Sequence, residues 1–472
     1  MAASGTESSL RFSKLAHADR VADERSPYAA FVDVEAAVRL PARVADGVHT
    51  RTAALVLAGF ACLVILAHRW GESLVSGGTN IKLGVPPIHA VRDFSIGRGH
   101  IIVLVLAVVV VRVLPRAATR LEWRLLLLVA FATTVTWTVA LNATRGASGL
   151  VQGLTSSHQY LNDVPAVGTP GAFLRGFVDN IDAYATHTQG HPPGFVLVLW
   201  LLDSVGLHGA AWAAALCIVA GALAVPAVLV AVRDVAGERA ARAALPFVAV
   251  SPLALWVGSS ADAFFAGISA VGSTAVVRAI SHPKRSTGVA FTGGLLLGGA
   301  LLCSYGLVLL LLVPAAVAIA RGRVGALVVA GLGIAVVLGL AFAAGFDYLD
   351  GLRATRAAYF DGVASVRPYG YALVANVAAL ALAVGPATAV AIARLRGSLW
   401  LLVGSALVAV ALANVSGMSK LEVERIWLPF SIWLLPAGAA FALRGSARMV
   451  PAWLTLQIGF AVVVHTVVRT GW

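Results

Sequence analysis

Apolar and polar positions do not alternate along this chain; after Thr50 they separate into long apolar runs divided by short polar breaks. Continuous runs, rather than a two-residue alternation, exclude a transmembrane β-barrel. A hydrocarbon core of about 30 Å takes about 20 apolar residues to cross as a helix. Thirteen runs approach or meet that length: 52–69, 100–115, 123–142, 209–232, 241–258, 261–280, 288–302, 305–321, 324–344, 372–394, 398–415, 426–443 and 449–468. The pattern predicts an all-α polytopic membrane protein with about 13 transmembrane helices. A shorter apolar piece, 193–206, opens on Pro192-Pro193, which suits a helix start where no backbone donor is needed. Immediately before it the pattern breaks for roughly fifty residues, Asn142 to Pro193.

Basic residues set the sidedness. They gather at Arg112 to Arg124, Arg233 to Arg242, His282 to Arg285, Arg321 to Arg323, Arg394 to Arg396, and Arg444 to Arg448. Cytoplasmic loops of membrane proteins carry the excess of Lys and Arg. Placing all six inside gives a consistent alternation if 193–206 does not cross fully. The amino terminus is then inside and the carboxyl terminus outside. Loop 143–192, Ser259 to Asp262, Ser304-Tyr305, loop 345–371 and Ser416 to Arg425 all fall on the outer face, the layout of a site working at the outer leaflet. Residues 1–50 form a polar tail with no apolar signal-peptide core, expected to be cytoplasmic and disordered or loosely helical. Residues 51–472 form the transmembrane domain, with 143–192 as its outer catalytic loop.

Composition supports the membrane class and narrows little else. Of 472 residues, 59% are hydrophobic and 12% charged, far outside the range of soluble domains. The net charge of +13 fits basic cytoplasmic loops better than nucleic-acid binding. Cys62, Cys217 and Cys303 are far apart and show neither metal-ligand spacing nor a disulfide framework.

The candidate chemistry lies in the polar breaks. Within the long loop, Gly171 to Asp182 places Phe173, Leu174, Phe177, Val178 and Ile181 on one helical face, the pattern of a short helix lying in the interface plane or of an ordinary amphipathic connector. Asp163 is a candidate proton acceptor, although a loop aspartate more often caps a turn. His187 and His191 flank the point where the chain returns to the membrane. With nearby carboxylates they fit a divalent metal ion, and hydrogen bonding or contact with a pyrophosphate fits equally. Asp262 opens a span, where a carboxylate is costly without a partner; Ser-Ala-Asp is also helix-capping chemistry. Ser419 to Trp427 packs Lys420, Glu422, Glu424 and Arg425 together. Its cations suit a phosphate, and mutual neutralisation in a solvated loop is the alternative. Arg353, Arg356, Arg367 and Tyr369 add cations and an aromatic to that side; interfacial anchoring is the bland reading.

The acidic outer loop, the Pro192-Pro193 pair opening a short helix, the small-residue span, RDVAGERAARAALPFVAVSPLALW and SSADAFF together resemble the GT-C superfamily of polyprenyl-phosphate-sugar glycosyltransferases. Within it they are similar to the protein mannosyltransferase and aminoarabinose transferase branch, where a Lys often precedes the Pro-Pro pair and His191 stands here. The resemblance covers about 125–310 and, more loosely, 365–430. HTQGHPPG, SSADAFF and EVERIWLPF resemble a family of high-GC, envelope-building bacteria that includes methylthioxylose transferases, which cap a mannose-containing lipoglycan. The resemblance implies a plasma-membrane enzyme whose site faces outward. Its partners would be a polyprenyl-phosphate-sugar donor, a glycan or lipoglycan acceptor and membrane lipid, with no nucleic acid. Asp163 would be the catalytic base; His191, Asp262, Tyr305, Arg367, Tyr369, Lys420, Glu424 and Arg425 would contact substrate. Some relatives use a divalent metal ion, and nothing in the sequence compels one. The rival class is a transporter or flippase for lipid-linked sugars, which would place binding residues near the bilayer midplane on repeated broken helices. A membrane acyltransferase stands third, without a distinctive nucleophile motif here.

Overall fold

A computed structural model describes residues 42–258, 260–445 and 447–470. The expectation for the polar tail therefore lies almost wholly outside the described residues, as does Ser259 of the SSADAFF motif. The chain divides into two units, 1–54 and 55–472, and the second holds the helical bundle.

The fold is helical. Its main helices are α1 (Ala42–Ser76), α2 (Arg98–Arg120), α3 (Trp123–Asn142), α4 (Pro170–Gly176), α5 (Gly194–Ser204), α6 (Ala210–Ala236), α7 (Glu238–Ala249) and α8 (Ala261–Ser281). They continue as α9 (Ser286–Leu301), α10 (Leu312–Ala320), α11 (Gly325–Ala343), α12 (Tyr348–Asp361), α13 (Tyr369–Val384), α14 (Pro386–Arg394), α15 (Trp400–Ser416) and α16 (Val450–Val467). Polar residues at the breaks start several of them. The Glu122 carboxylate accepts the Arg124 and Leu125 N–H groups, Ser260 accepts that of Asp262, and Asp347 accepts those of Leu349 and Asp350. Besides the helices, the described residues form one small antiparallel ribbon, in which β1 (Ala90–Arg92) pairs with β2 (Val468–Thr470), Val91 opposite Arg469.

Among the described residues, eight helices are long and apolar enough to cross a membrane. They coincide with eight of the thirteen predicted runs. The other five runs fold differently. Run 241–258 stops at Ala249 and resumes only for Ala254–Val257, because Pro252 follows Ser251 where the helix would continue. Run 372–394 is two helices, α13 and α14, bent by 96° at Gly385, whose φ of +82° is left-handed. Run 426–443 is a chain of single turns broken around Pro429 and Pro436. Runs 288–302 and 305–321 give apolar helices shorter than a full span. Segment 193–206 becomes the 11-residue α5, about 16 Å long and so about half a hydrocarbon thickness.

α6 and α8 pack closely. A Cβ on Gly267 would lie 2.1 Å from the Ala220 carbonyl oxygen, so only glycine lets the two backbones approach this closely. The basic loops around 112–124, 233–242 and 321–323 collect at one end of the bundle. Arg242 donates to the carbonyls of Ala118 and Leu121 at 2.8 and 2.9 Å, Arg233 covers the Trp123 ring, and Arg321 reaches Ser281 and the Asp234 carbonyl. The long loop, the 77–97 segment, α12 and residues 417–425 meet at the other end, where Arg145 ties the loop to Asp93 at 2.6 Å and to the His465 carbonyl at 3.0 Å.

Two outer segments depart from the sequence expectation. The interfacial helix predicted over 171–182 is the shorter α4, followed by a turn and a 3-10 turn at Ile181–Ala183. Its apolar face is used internally: Phe173 and Phe177 pack on Tyr184, and Phe177 packs edge-on against Phe346. Segment 345–371, expected as a loop, is mostly α12 followed by the turn Val363–Val366.

Candidate functional site

Asp262 occupies the first turn of α8, held by Ser260, whose hydroxyl donates to the carboxylate at 2.9 Å. Its other partner comes from the far end of the chain. Arg425 donates to the same oxygen at 2.6 Å, and both side chains are almost fully buried. Arg425 also faces Glu422 at 3.6 Å, and Glu422 in turn pairs with buried Arg367. Arg367 is anchored further by the carbonyls of Ile81, at 3.1 Å, and Lys420, at 2.8 Å. The result is a buried chain of alternating charge, Asp262–Arg425–Glu422–Arg367, joining α8 to the 417–425 turn and to a residue two before α13.

The backbone of that turn is left-handed at Leu421 and Glu422, with φ of 72° and 61°. Such non-glycine conformations cost of order 1–3 kcal/mol each and cluster at functional sites. Buried Leu421 and the ion pairs of Glu422 hold this one in place. Burial pushes the Glu422 carboxyl up, and the guanidiniums of Arg367 and Arg425 more than reverse this, holding it below the usual range. Glu424 sits in the opposite situation. It is fully buried and accepts the His89 N–H at 2.8 Å, and burial pushes it up to about 7.

The long loop covers this chain of charges. Tyr160, His187 and His191 form an aromatic cluster, the Tyr160 ring edge-on to both imidazoles and to Phe195 at 5.0–5.8 Å. His191 also packs against Phe265 of α8. Its Nδ1 lies 2.9 Å from the His187 carbonyl, which can only accept, so the proton is on Nδ1. Burial, then the charge of Arg425, holds His187 well below its ordinary range. Burial also lowers His191, with Asp262 opposing. Both rings are therefore neutral near pH 7. Gly194 fixes the loop's return: its N–H donates to the Leu302 carbonyl at 2.8 Å, and a Cβ there would lie 2.3 Å from that oxygen.

Asp163 lies one turn beyond Tyr160 in the 3-10 helix Tyr160–Val167, and residues three apart in such a helix are eclipsed. It is buried, and its Oδ2 accepts the Ala185 N–H at 3.0 Å. Burial of Tyr184, and then the charge of Asp163, raises the Tyr184 hydroxyl above its ordinary range.

Of the residues expected to meet substrate, the structure brings together Asp262, Arg425, Glu424, Arg367 and His191. Lys420 joins through its carbonyl, while its ammonium turns away to the Ala364 carbonyl at 2.9 Å, over the Phe360 ring. Tyr305 packs on Tyr348 beneath α12, and Tyr369 donates to the Val415 carbonyl at the end of α15. Neither has a described contact with the charged chain. The 77–97 segment, with Ile81 and His89, completes the floor and was not anticipated. The signal was Gly84-Val85-Pro86-Pro87-Ile88-His89, a proline pair beside a histidine between two apolar runs.

Among the described residues no group of three His, Cys, Asp or Glu side chains is arranged to hold a metal ion. Among the described residues, the buried polar atoms at the site without a hydrogen-bond partner include the Tyr160 hydroxyl, the Thr188 hydroxyl and Glu424 Oε2. Native interiors leave few such groups, and each is one that a polar ligand would satisfy. No protein-family model matches this sequence, and no curated protein matches it.

Proposed function

We propose that this protein is an integral-membrane inverting glycosyltransferase, moving a sugar from a polyprenyl-phosphate donor to a glycan or lipoglycan acceptor at the outer face of the plasma membrane. One observation carries the reading: the Tyr160 hydroxyl and Glu424 Oε2, buried without hydrogen-bond partners among the described residues, lie near the buried Asp262–Arg425 pair under a long polar loop at one end of a helical bundle. A hydroxyl-rich, anionic ligand answers both halves of that site. The narrower reading within the class is transfer of methylthioxylose to a mannose-containing lipoglycan. It rests on the sequence resemblance alone.

In this reading the acceptor hydroxyl attacks the anomeric carbon. Its proton passes to Asp163, the new carbon–oxygen bond forms, and the bond from that carbon to the phosphate oxygen breaks with its electron pair leaving on polyprenyl phosphate. Arg425 and Arg367, fixed by carboxylates, offset the charge developing on the leaving phosphate. His191, Glu424 and Tyr160 supply hydrogen-bonding groups to the sugar. A flippase would concentrate its polar residues at mid-helix, whereas this cluster lies at helix ends.

Comparing envelope glycolipids and lipoglycans from cells with and without the gene tests the proposal, because the missing sugar names the donor. An unchanged inventory would contradict it. Asp163→Asn keeps an acceptor for the Ala185 N–H, so the loop anchor survives. Transfer in that variant is expected to fall by about 10²–10⁴-fold with normal membrane insertion. Full activity would remove Asp163 from the base role.

A further inference from the structure

The basic end of the bundle, opposite the candidate site, holds a second feature. Helices α8, α9 and α11 border a groove of about 330 Å³ whose polar lining is Ser286, Thr287 and Arg323 and whose remainder is largely apolar, including Ile280, Ala290 and Val329. Arg323 donates to the Ile280 carbonyl at 2.8 Å, and Arg321 to the Ser281 hydroxyl at 2.5 Å and the Asp234 carbonyl at 2.7 Å. Neither guanidinium is ion-paired with a carboxylate among the described residues. The carboxylate beside them, Asp234, is taken by Arg278 at 3.4 Å and His282 at 3.1 Å. Burial, then the charge of Arg323, holds Arg321 below its ordinary range. Exposed Lys284 adds another cation. The groove also meets the first turns of α9 and α11, whose amide donors and dipoles favour an anion.

We propose that this groove binds the phosphate of an anionic phospholipid of the surrounding bilayer, held by Arg323 and the hydroxyls of Ser286 and Thr287. The lipid's acyl chains run along the apolar outer surfaces of α9 and α11, where Val289, Val328 and Leu332 are exposed. That apolar continuation selects a lipid over a soluble anion. Cations that merely mark the cytoplasmic side would respond to any anionic surface and would need neither the hydroxyls nor the groove. The proposal depends on the membrane reading and not on the reaction at the other end.

Native mass spectrometry on the purified, delipidated full chain tests it, with phosphatidylglycerol and phosphatidylcholine titrated separately. Phosphatidylglycerol is expected to bind more tightly. Arg323→Gln should weaken it about fivefold, as the loss of about 1 kcal/mol per cation implies. Because Arg323 also caps α8, Thr287→Glu at an exposed position provides a second variant, and it should abolish the preference between the lipids. Millimolar inorganic phosphate should leave the bound lipid in place. Equal binding of the two lipids, an undiminished preference in both variants, or displacement by inorganic phosphate would overturn the proposal.

Discussion

Glu424 has one oxygen on the His89 N–H and the other without a partner among the described residues, and burial raises its carboxyl to about 7. Between the ordinary carboxylate range and about 7, the folded state holds a proton that the unfolded chain has lost. Stability from this group is therefore full at low pH and falls as pH rises through that window. Glu424→Gln keeps an acceptor for His89 and carries no charge. Its thermal midpoint in detergent should exceed that of the parent at pH 8, with a smaller difference at pH 5; a parent advantage at pH 8 would contradict the buried neutral acid. Arg425 and Asp262 call for a paired test. Removing one partner of a buried pair leaves an uncompensated charge, at a cost of about 3–5 kcal/mol. Asp262→Asn with Arg425→Gln should be less destabilised than the sum of the two single changes, measured as a double-mutant cycle. Much of this chemistry was legible, because four charges in Lys420 to Arg425 beside an apolar run announce themselves. His89 was not, since it joins the site through a backbone N–H that any residue except proline carries.

At the scale of elements, run length foretold the long helices and missed the backbone breaks. Apolarity continues through Ser251-Pro252 and Gly385 while helix geometry does not, so 241–258 and 372–394 read as spans. The apolar face of 171–182 was read correctly as a face. Its partner, Phe346, lies far along the chain, so an interfacial helix and an internally packed one look alike in sequence. The loop's return at Gly194 carries a sharper expectation. Gly194→Ala pushes a methyl against the Leu302 carbonyl, and overpacking of this kind costs about 1–3 kcal/mol. It should displace His191, three residues before, so transfer should fall more than the thermal midpoint alone explains. Parental activity would show that the His-Pro-Pro turn tolerates the shift.

For the whole molecule, basic residues of 112–124, 233–242 and 321–323 converge at one end of the bundle, and Asp262, Arg367 and the 417–425 turn converge at the other. Crossing number was less legible, because short and bent helices serve where straight spans were expected. With exposed Cys62 replaced by serine, single cysteines at exposed Ala166 and Arg239 should label from opposite sides of intact cells, Ala166 from outside. Labelling of both from one side would refute the arrangement. The central claim meets its most direct test with the purified protein, a polyprenyl-phosphate-linked sugar and the envelope glycan acceptor. Glycosyl transfer predicts stoichiometric appearance of glycosylated acceptor and free polyprenyl phosphate, lost in Asp163→Asn. Intact donor crossing a vesicle membrane, with no sugar released to acceptor, would contradict it.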